Sequence, residues 1–364
     1  MRIILLALLL FSRISSLQSS TSPKPFSTDF LSWKALPDLP GRIGVAGPFV
    51  GVHRNALIVA GGANFPSPFW ETEKVWHDGV SVLVNGEDGQ LKWLEGYSLA
   101  RVIAYGASLS TEYGIVCLGG NDGERTFDDA FLLTWDSTTE TLKQIRLPSL
   151  PHPCAYGAAG RIGDVVYLAG GQSGQGLETA QRNFWRLDLS KLDGPTELFR
   201  WEPVVPWPGP SRAYNLTVTQ HNGFNPCVYV ISGRRANVAE QVVGVPGFAP
   251  TPDIFALRDV YEFNPAHYDP RSFDAESGQY LGTGRFANPW RRRSDTPHAV
   301  MAGTGAAIGQ SHIFVLSGAD GKLMARSAEL REAHPGFPPR TLAYHTITDT
   351  WIDAGPSPAN HVTT

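Results

Sequence analysis

Six basic residues recur at comparable places along the chain: Arg42, Arg101, His152, Arg212, His298 and His361. Four of them open stretches of one character: Arg42-Ile-Gly-Val-Ala-Gly47, Arg101-Val-Ile-Ala-Tyr-Gly106, His152-Pro-Cys-Ala-Tyr-Gly157 and His298-Ala-Val-Met-Ala-Gly303. Arg212-Ala-Tyr-Asn-Leu-Thr217 keeps the basic residue and loses the glycine. With 30 Lys and Arg and 10 His in 364 residues, about one position in nine would be basic by chance. A ring of Arg and His around a mouth that excludes water would attract and orient an anion, and the planar arginine fork matches both oxygens of a carboxylate. The competing account is that each basic residue caps a turn or packs over a proline.

A second recurrent set comprises Asn64, Asn121 with Asp122, Gln172 with Ser173, Arg234 with Arg235, and Asp320. Short amides and carboxylates around a pocket suit a polyhydroxylated ligand, which offers many donors and acceptors at once. Polar residues are also what turns ordinarily contain. Tyr105 and Tyr156 at matching positions, with Tyr214 nearby, supply sugar-stacking faces or a phenol for proton transfer.

The elements that must position these groups are repeats. Five apolar runs end in a glycine pair or its Ser-Gly variant: at Gly61-Gly62, Gly119-Gly120, Gly170-Gly171, Ser232-Gly233 and Ser317-Gly318. Each reads as a buried strand ending where the backbone needs a turn free of Cβ. The basic landmark precedes the first member of each pair by 19, 18, 18, 20 and 19 residues. A tryptophan strand follows: Trp93, Trp201 and Trp351 come 31, 30 and 33 residues after Gly62, Gly171 and Gly318. The second repeat has Ile145 there, and the fourth has Trp290 after a long insertion.

Four strands per unit at this period predict an all-β, kelch-type β-propeller over residues 27–364. Six blades are expected. Five would be complete, and the N-terminus (Trp33, then Leu36-Pro37) would supply the outer strand of the sixth, hiding the last sheet edges. The last blade is expected to be incomplete at the C-terminus, because the chain stops three residues after His361.

Composition agrees. The chain has 38 Gly and 28 Pro, and only 18% of it is charged, the pattern of a turn-rich β protein. A net charge of −4 without a basic tract argues against nucleic acid. No apolar run reaches the roughly 18 residues of a membrane span. Arg2 followed by the apolar run Ile3 to Phe11 and a Ser-rich stretch predicts a signal peptide over residues 1–20, hence a periplasmic or secreted protein. Cys117, Cys154 and Cys227 sit singly inside apparent strands and read as buried thiols. Asn215-Leu-Thr217 is a glycosylation sequon. No metal-binding or nucleotide-binding motif occurs, and no metal or organic cofactor is expected.

The block Gly61-Gly-Ala-Asn-Phe-Pro66, followed by Lys74-Val-Trp-His-Asp78, resembles the N-acetylneuraminate epimerases, and in particular their cyclically permuted branch. That resemblance implies an exported six-bladed kelch propeller that interconverts the anomers of sialic acid. It also implies that the family's acid/base glutamate and its neighbouring arginine belong to a blade expected beyond residue 364, so no residue here inherits those roles. The expected activity is therefore that of a sialic acid mutarotase acting by acid/base ring opening on an anionic sugar. Arg42, Asn64, Arg101, Tyr105, Asn121, His152, Arg212, His298 and Asp320 are the substrate-binding candidates. The alternative is an exported, non-enzymatic propeller that binds a glycan or a protein.

Overall fold

A computed structural model describes residues 31–41, 43–236 and 254–357. The expected signal peptide, Arg42 and His361 lie outside the described residues.

Five four-stranded antiparallel sheets follow one another along the chain. Blade 1 contains Phe49–His53, Ala56–Ala60, Gly79–Asn85 and Leu91–Ser98. Blade 2 runs from Ala107–Ser110 to Thr141–Arg146, and blade 3 from Ala158–Ile162 to Glu202–Pro203. Blade 4 runs from Leu216–His221 to Trp290–Arg293, and blade 5 from Thr304–Ile308 to Thr350–Pro356. Strands pair in sequence order within each sheet, and the first strands of successive blades touch around a central channel of about 400 Å³. This is a β-propeller, with five blades among the described residues.

The glycine pairs exist because neighbouring blades approach there backbone to backbone. The amides of Gly62, Gly120, Gly171 and Gly233 donate to the carbonyls of Ile103, Cys154, Arg212 and Val300 in the next blade, at 2.8–3.1 Å. A Cβ on Gly119 would lie 1.8 Å from the Cys154 carbonyl oxygen. In blade 4, Ser232 takes the left-handed position (φ 55°) and turns its hydroxyl to use, donating to Leu257 O and accepting from the Val300 amide.

Apolar clusters join blades 1 and 2 (Phe49, Ile58, Phe131), 2 and 3 (Leu132, Val166, Trp185), 3 and 4 (Phe184, Val230, Phe263), and 4 and 5 (Tyr229, Val315, Tyr344). Among the described residues no such cluster joins blade 5 to blade 1. Blade 5 instead packs Phe314 and Ala343 against Leu31, while Val50 and Val52 of blade 1 are exposed.

Residues 31–41 form no strand, so the expected outer strand of a sixth blade is not observed there. Their place is nonetheless systematic. The indole N–H of Trp201 donates to Pro148 O, that of Trp290 to Val205 O and that of Trp351 to Ser294 O, each carbonyl lying just past the outer strand of the preceding blade. Trp93 of blade 1 donates in the same way to Pro37 O, at 3.1 Å.

The three cysteines are buried and free, and burial pushes their thiols up. Asn215 is buried, its amide donating to Ala169 O and Thr217 Oγ1, so the sequon is closed to a glycan in the folded protein. The insertion between Asn264 and Asn288 joins the third and fourth strands of blade 4, on the face opposite the glycine-pair loops. No described helix is long and apolar enough to cross a membrane.

Candidate functional site

At one end of the channel, each blade entrance holds one residue in the left-handed region: Gly47, Tyr105, Tyr156, Tyr214 and Ala302, with φ between 54° and 63°. They are linked in a chain. The amide of Tyr105 donates to Gly47 O, Tyr156 to Tyr105 O, Tyr214 to Tyr156 O, and Ala302 to Tyr214 O. A left-handed conformation costs a non-glycine residue about 1–2 kcal/mol, and glycine would fit without that cost, as Gly47 does. Three consecutive blades place tyrosine there, and strain of this kind concentrates where a site needs it.

The three rings form a ledge. Tyr105 and Tyr156 have centroids 4.8 Å apart, Tyr156 and Tyr214 4.3 Å. The Tyr105 ring lies against Gly47, where a Cβ would come within 2.3 Å of it. Burial pushes the Tyr105 phenol up to about 12, and that of Tyr214 higher, so both are neutral donors at physiological pH.

A cation stands at each end of the ledge. Lys74 Nζ donates to the Tyr105 hydroxyl at 3.1 Å and lies 5.1 Å from the Phe65 ring centroid and 5.9 Å from that of Trp76. At the far end the Arg234 guanidinium sits 3.7 Å over the Tyr214 ring. Among the described residues no carboxylate forms an ion pair with either cation. Such cations over aromatic faces keep their charge available to an anion. Beyond Tyr214 the ledge opens into a cavity of about 260 Å³, lined by Arg234, Asp320 and His334 and by apolar side chains.

Of the candidates drawn from the sequence, Tyr105 and Asp320 belong to this site. Asp320 keeps a depressed carboxyl because the backbone and ammonium groups of Lys322 bond it against the opposing effect of burial. Of the basic landmarks, the four among the described residues, Arg101, His152, Arg212 and His298, line neither the channel nor the cavity beyond Tyr214. Arg212 is fully buried and binds Asp259 through both guanidinium nitrogens, at 2.9 and 2.7 Å. It lies two residues before its left-handed tyrosine, whereas Arg101 and His152 lie four before theirs. Arg212 thus replaces the core residues Ile103, Cys154 and Val300 of the other blades.

Arg101 pairs with Asp129 at 3.2 Å and stacks over Phe127, in a groove that reaches the outer-strand residues Gln144 and Arg146. His152 is exposed beside Trp185, and the His298 ring bonds Ala299 O. The amides hold loops. Asn121 is buried and accepts the Trp76 indole N–H at 3.0 Å, Asn64 bridges Gly44 O and His77, and Gln172 donates to Gly174 O and Gln175 O. Lys74 and His334 were not candidates, because neither recurs from blade to blade. The signal that could have exposed the structural role of the arginines is the Asp just before the third strand, Asp129 and Asp259. Among the described residues no group of three His, Cys, Asp or Glu side chains could hold a metal ion.

These features define a class, a β-propeller with a one-faced aromatic and cationic site at the channel mouth. Over 80% of its length the chain superposes on 82% of the structure of YjhT, with a TM-score of 0.56 and 14% identity, a likeness of fold. No family model matches the sequence. The relatives named N-acetylneuraminate epimerase give the particular kinship. The protein of Vibrio cholerae is 33% identical over 120 residues, 29% of this chain and 31% of that protein. Those of Haemophilus influenzae and Vibrio vulnificus are 29% identical over 142 residues and 37% over 101. This chain is a distant relative of the N-acetylneuraminate epimerases, and each match spans about a third or less of the relative's length.

Proposed function

We propose that this protein binds a sialic acid on the tyrosine ledge and interconverts its α and β anomers. The observation that carries the proposal is the run of three strained tyrosines with, at each end, a cation that pairs with no carboxylate among the described residues. Pyranose faces stack on aromatic rings, and a sugar acid adds the carboxylate that a free cation recognises. The printed names of the relatives point to the same sugar class.

Mutarotation removes the anomeric hydroxyl proton, protonates the ring oxygen, opens the ring and recloses it on the other face of the carbonyl. The Lys74 ammonium has three donors. One holds the Tyr105 oxygen, and the others are assigned to the sugar carboxylate. With its oxygen accepting from Lys74, the neutral Tyr105 phenol keeps its proton for the ring oxygen. The base is assigned to a further blade seated in the seam between blades 5 and 1. That no apolar cluster joins blades 5 and 1 among the described residues, and that Pro37 is placed against Trp93, support a six-bladed ring. Positioned acid/base groups of this kind accelerate a reaction by about 10²–10⁴.

The test is proton NMR of freshly released α-sialic acid. The β signal is expected to rise faster with protein than without it, and identical rates would reject the activity. Export, through the apolar run Ile3 to Phe11, is proposed alongside and is checked by N-terminal sequencing of the mature protein.

A further inference from the structure

The loop that carries Lys74 leaves a run of aromatic side chains in solvent. Phe65, Phe69 and Trp70 are 42%, 54% and 48% exposed, and grouped exposure of this kind marks a surface that meets a ligand. The backbone beneath them is pinned. Thr72 Oγ1 donates to Pro66 O at 2.7 Å and to Pro68 O at 3.3 Å, and the Glu71 amide donates to Pro68 O at 3.0 Å. Phe69 and Trp70 thus stand on a turn that closes back on Pro66, next to Phe65, whose ring centre lies 5.1 Å from Lys74 Nζ. Trp76, Trp93, Trp201 and Trp290 each commit the indole N–H to a partner within the fold. That of Trp70 has none among the described residues, and neither Phe69 nor Trp70 stacks on another described ring. Glu71 and Glu73, in the same loop, are exposed acceptors.

We propose that this loop is a second sugar subsite, which stacks the neutral sugar to which a sialic acid is α-linked. The inference rests on the ledge as the sialic acid site and on Lys74 as the partner of its carboxylate. Sialic acid carries its carboxylate and its anomeric oxygen on one carbon. Whatever is attached through that oxygen therefore lies next to the carboxylate, and so next to Lys74. Tyr105 stands on one side of Lys74 and leads to the ledge, and Phe65 stands on another and leads to the exposed pair. With the acidic sugar on the ledge, the attached sugar lies over Phe65, Phe69 and Trp70. Its apolar face stacks on the rings, its hydroxyls donate to Glu71 and Glu73, and the Trp70 indole N–H donates to a sugar oxygen. The two carboxylates repel a second sugar acid, so the occupant is a neutral hexose. A linked sialic acid has no anomeric hydroxyl to deprotonate, so it is held without being turned over.

The experiment is calorimetric titration of the purified chain with four ligands: N-acetylneuraminate, its methyl α-glycoside, the trisaccharide in which it is α-linked to lactose, and the α-linked disaccharide of two sialic acids. The same ligands are then titrated into Trp70→Ala. The trisaccharide is expected to bind about three- to tenfold more tightly than the methyl glycoside, the value of an aromatic stacking contact. The disaccharide should show no such gain. Trp70→Ala is expected to abolish the gain and leave the affinity for the methyl glycoside unchanged, which also shows that the variant is folded. If the native chain binds the methyl glycoside and the trisaccharide equally well, the subsite is overturned while the ledge stands. A gain that survives in Trp70→Ala would remove the loop from the site, and an equal gain for the disaccharide would overturn the preference for a neutral sugar. If neither sialic acid nor any sialoside binds, the proposed function falls and this inference with it. The native comparison of methyl glycoside and trisaccharide decides the matter without any variant.

Discussion

The Arg234 guanidinium carbon lies 3.7 Å from the centre of the Tyr214 ring, and the Tyr214 backbone is left-handed at φ 56°. The two facts belong together. The unusual backbone turns the phenol ring toward the channel mouth, where it stacks on Tyr156 and carries a cation that no described carboxylate neutralises. Stability is given up at one residue to keep a charged, aromatic surface open.

Replacing Tyr156 by glycine separates strain from function. The left-handed penalty of about 1–2 kcal/mol disappears, and two ring contacts of about 0.5–1.5 kcal/mol each are lost. Net stability should change by no more than about 1–2 kcal/mol in urea unfolding. Sialic acid binding should nonetheless fall at least about tenfold in titration. Retained binding would remove the ledge from the site.

Lys74→Met keeps the apolar stem against Phe65 and Trp76 and removes the charge. Binding of the sugar acid is expected to weaken about tenfold or more, the value of one charge-assisted contact, with no change for a neutral hexose. Equal losses for both would show that Lys74 merely shapes the loop.

Arg212 and Arg101 should behave oppositely to one another. Arg212→Ala removes the guanidinium packed over Trp207 and Tyr261 and leaves the buried Asp259 with only the longer contact to Arg292, at 3.5 Å; breaking such a buried pair costs about 3–5 kcal/mol. Arg101→Ala removes a half-exposed pair with Asp129, worth under about 1 kcal/mol. Thermal unfolding of the two variants distinguishes them, and a stable Arg212→Ala protein would contradict the buried-pair role.

The buried His53 predicts a pH dependence. Its Nδ1 accepts the Trp135 amide at 2.9 Å, so the ring must be neutral, and burial followed by the charge of Arg54 holds it below its ordinary 6.5. The unfolded chain therefore binds the proton more readily. Stability from this group is fully present above pH 6.5 and is lost as the pH falls below that value. Urea midpoints at pH 7 and pH 5 should differ less in His53→Gln, which can still accept the bond, than in the native protein. An unchanged difference would assign the pH dependence to other groups.

The repeat itself was open to reading from the chain alone. Glycine pairs, tryptophan strands and basic landmarks recur because every blade meets its neighbour through the same short contacts, such as Gly120 N to Cys154 O. The site was legible only in part. Tyr105 and Asp320 stand at repeated positions of the sequence and lie at the candidate site, whereas Lys74 and His334 come from loops peculiar to blades 1 and 5.

What the amino-acid order determined by itself was the architecture: how many complete blades there are, where each turns, and which thiols are buried. These follow from local periodicity and from glycine's freedom at positive φ. Which basic residue faces the channel was decided only by the tertiary structure. A shift of two residues relative to the left-handed turn sends Arg212 into the core, where Asp259 must neutralise it. A lysine from an unrepeated loop meanwhile reaches the Tyr105 hydroxyl. Charge type is written in the sequence, but its direction depends on backbone twist and on the partner that another blade brings within about 3 Å.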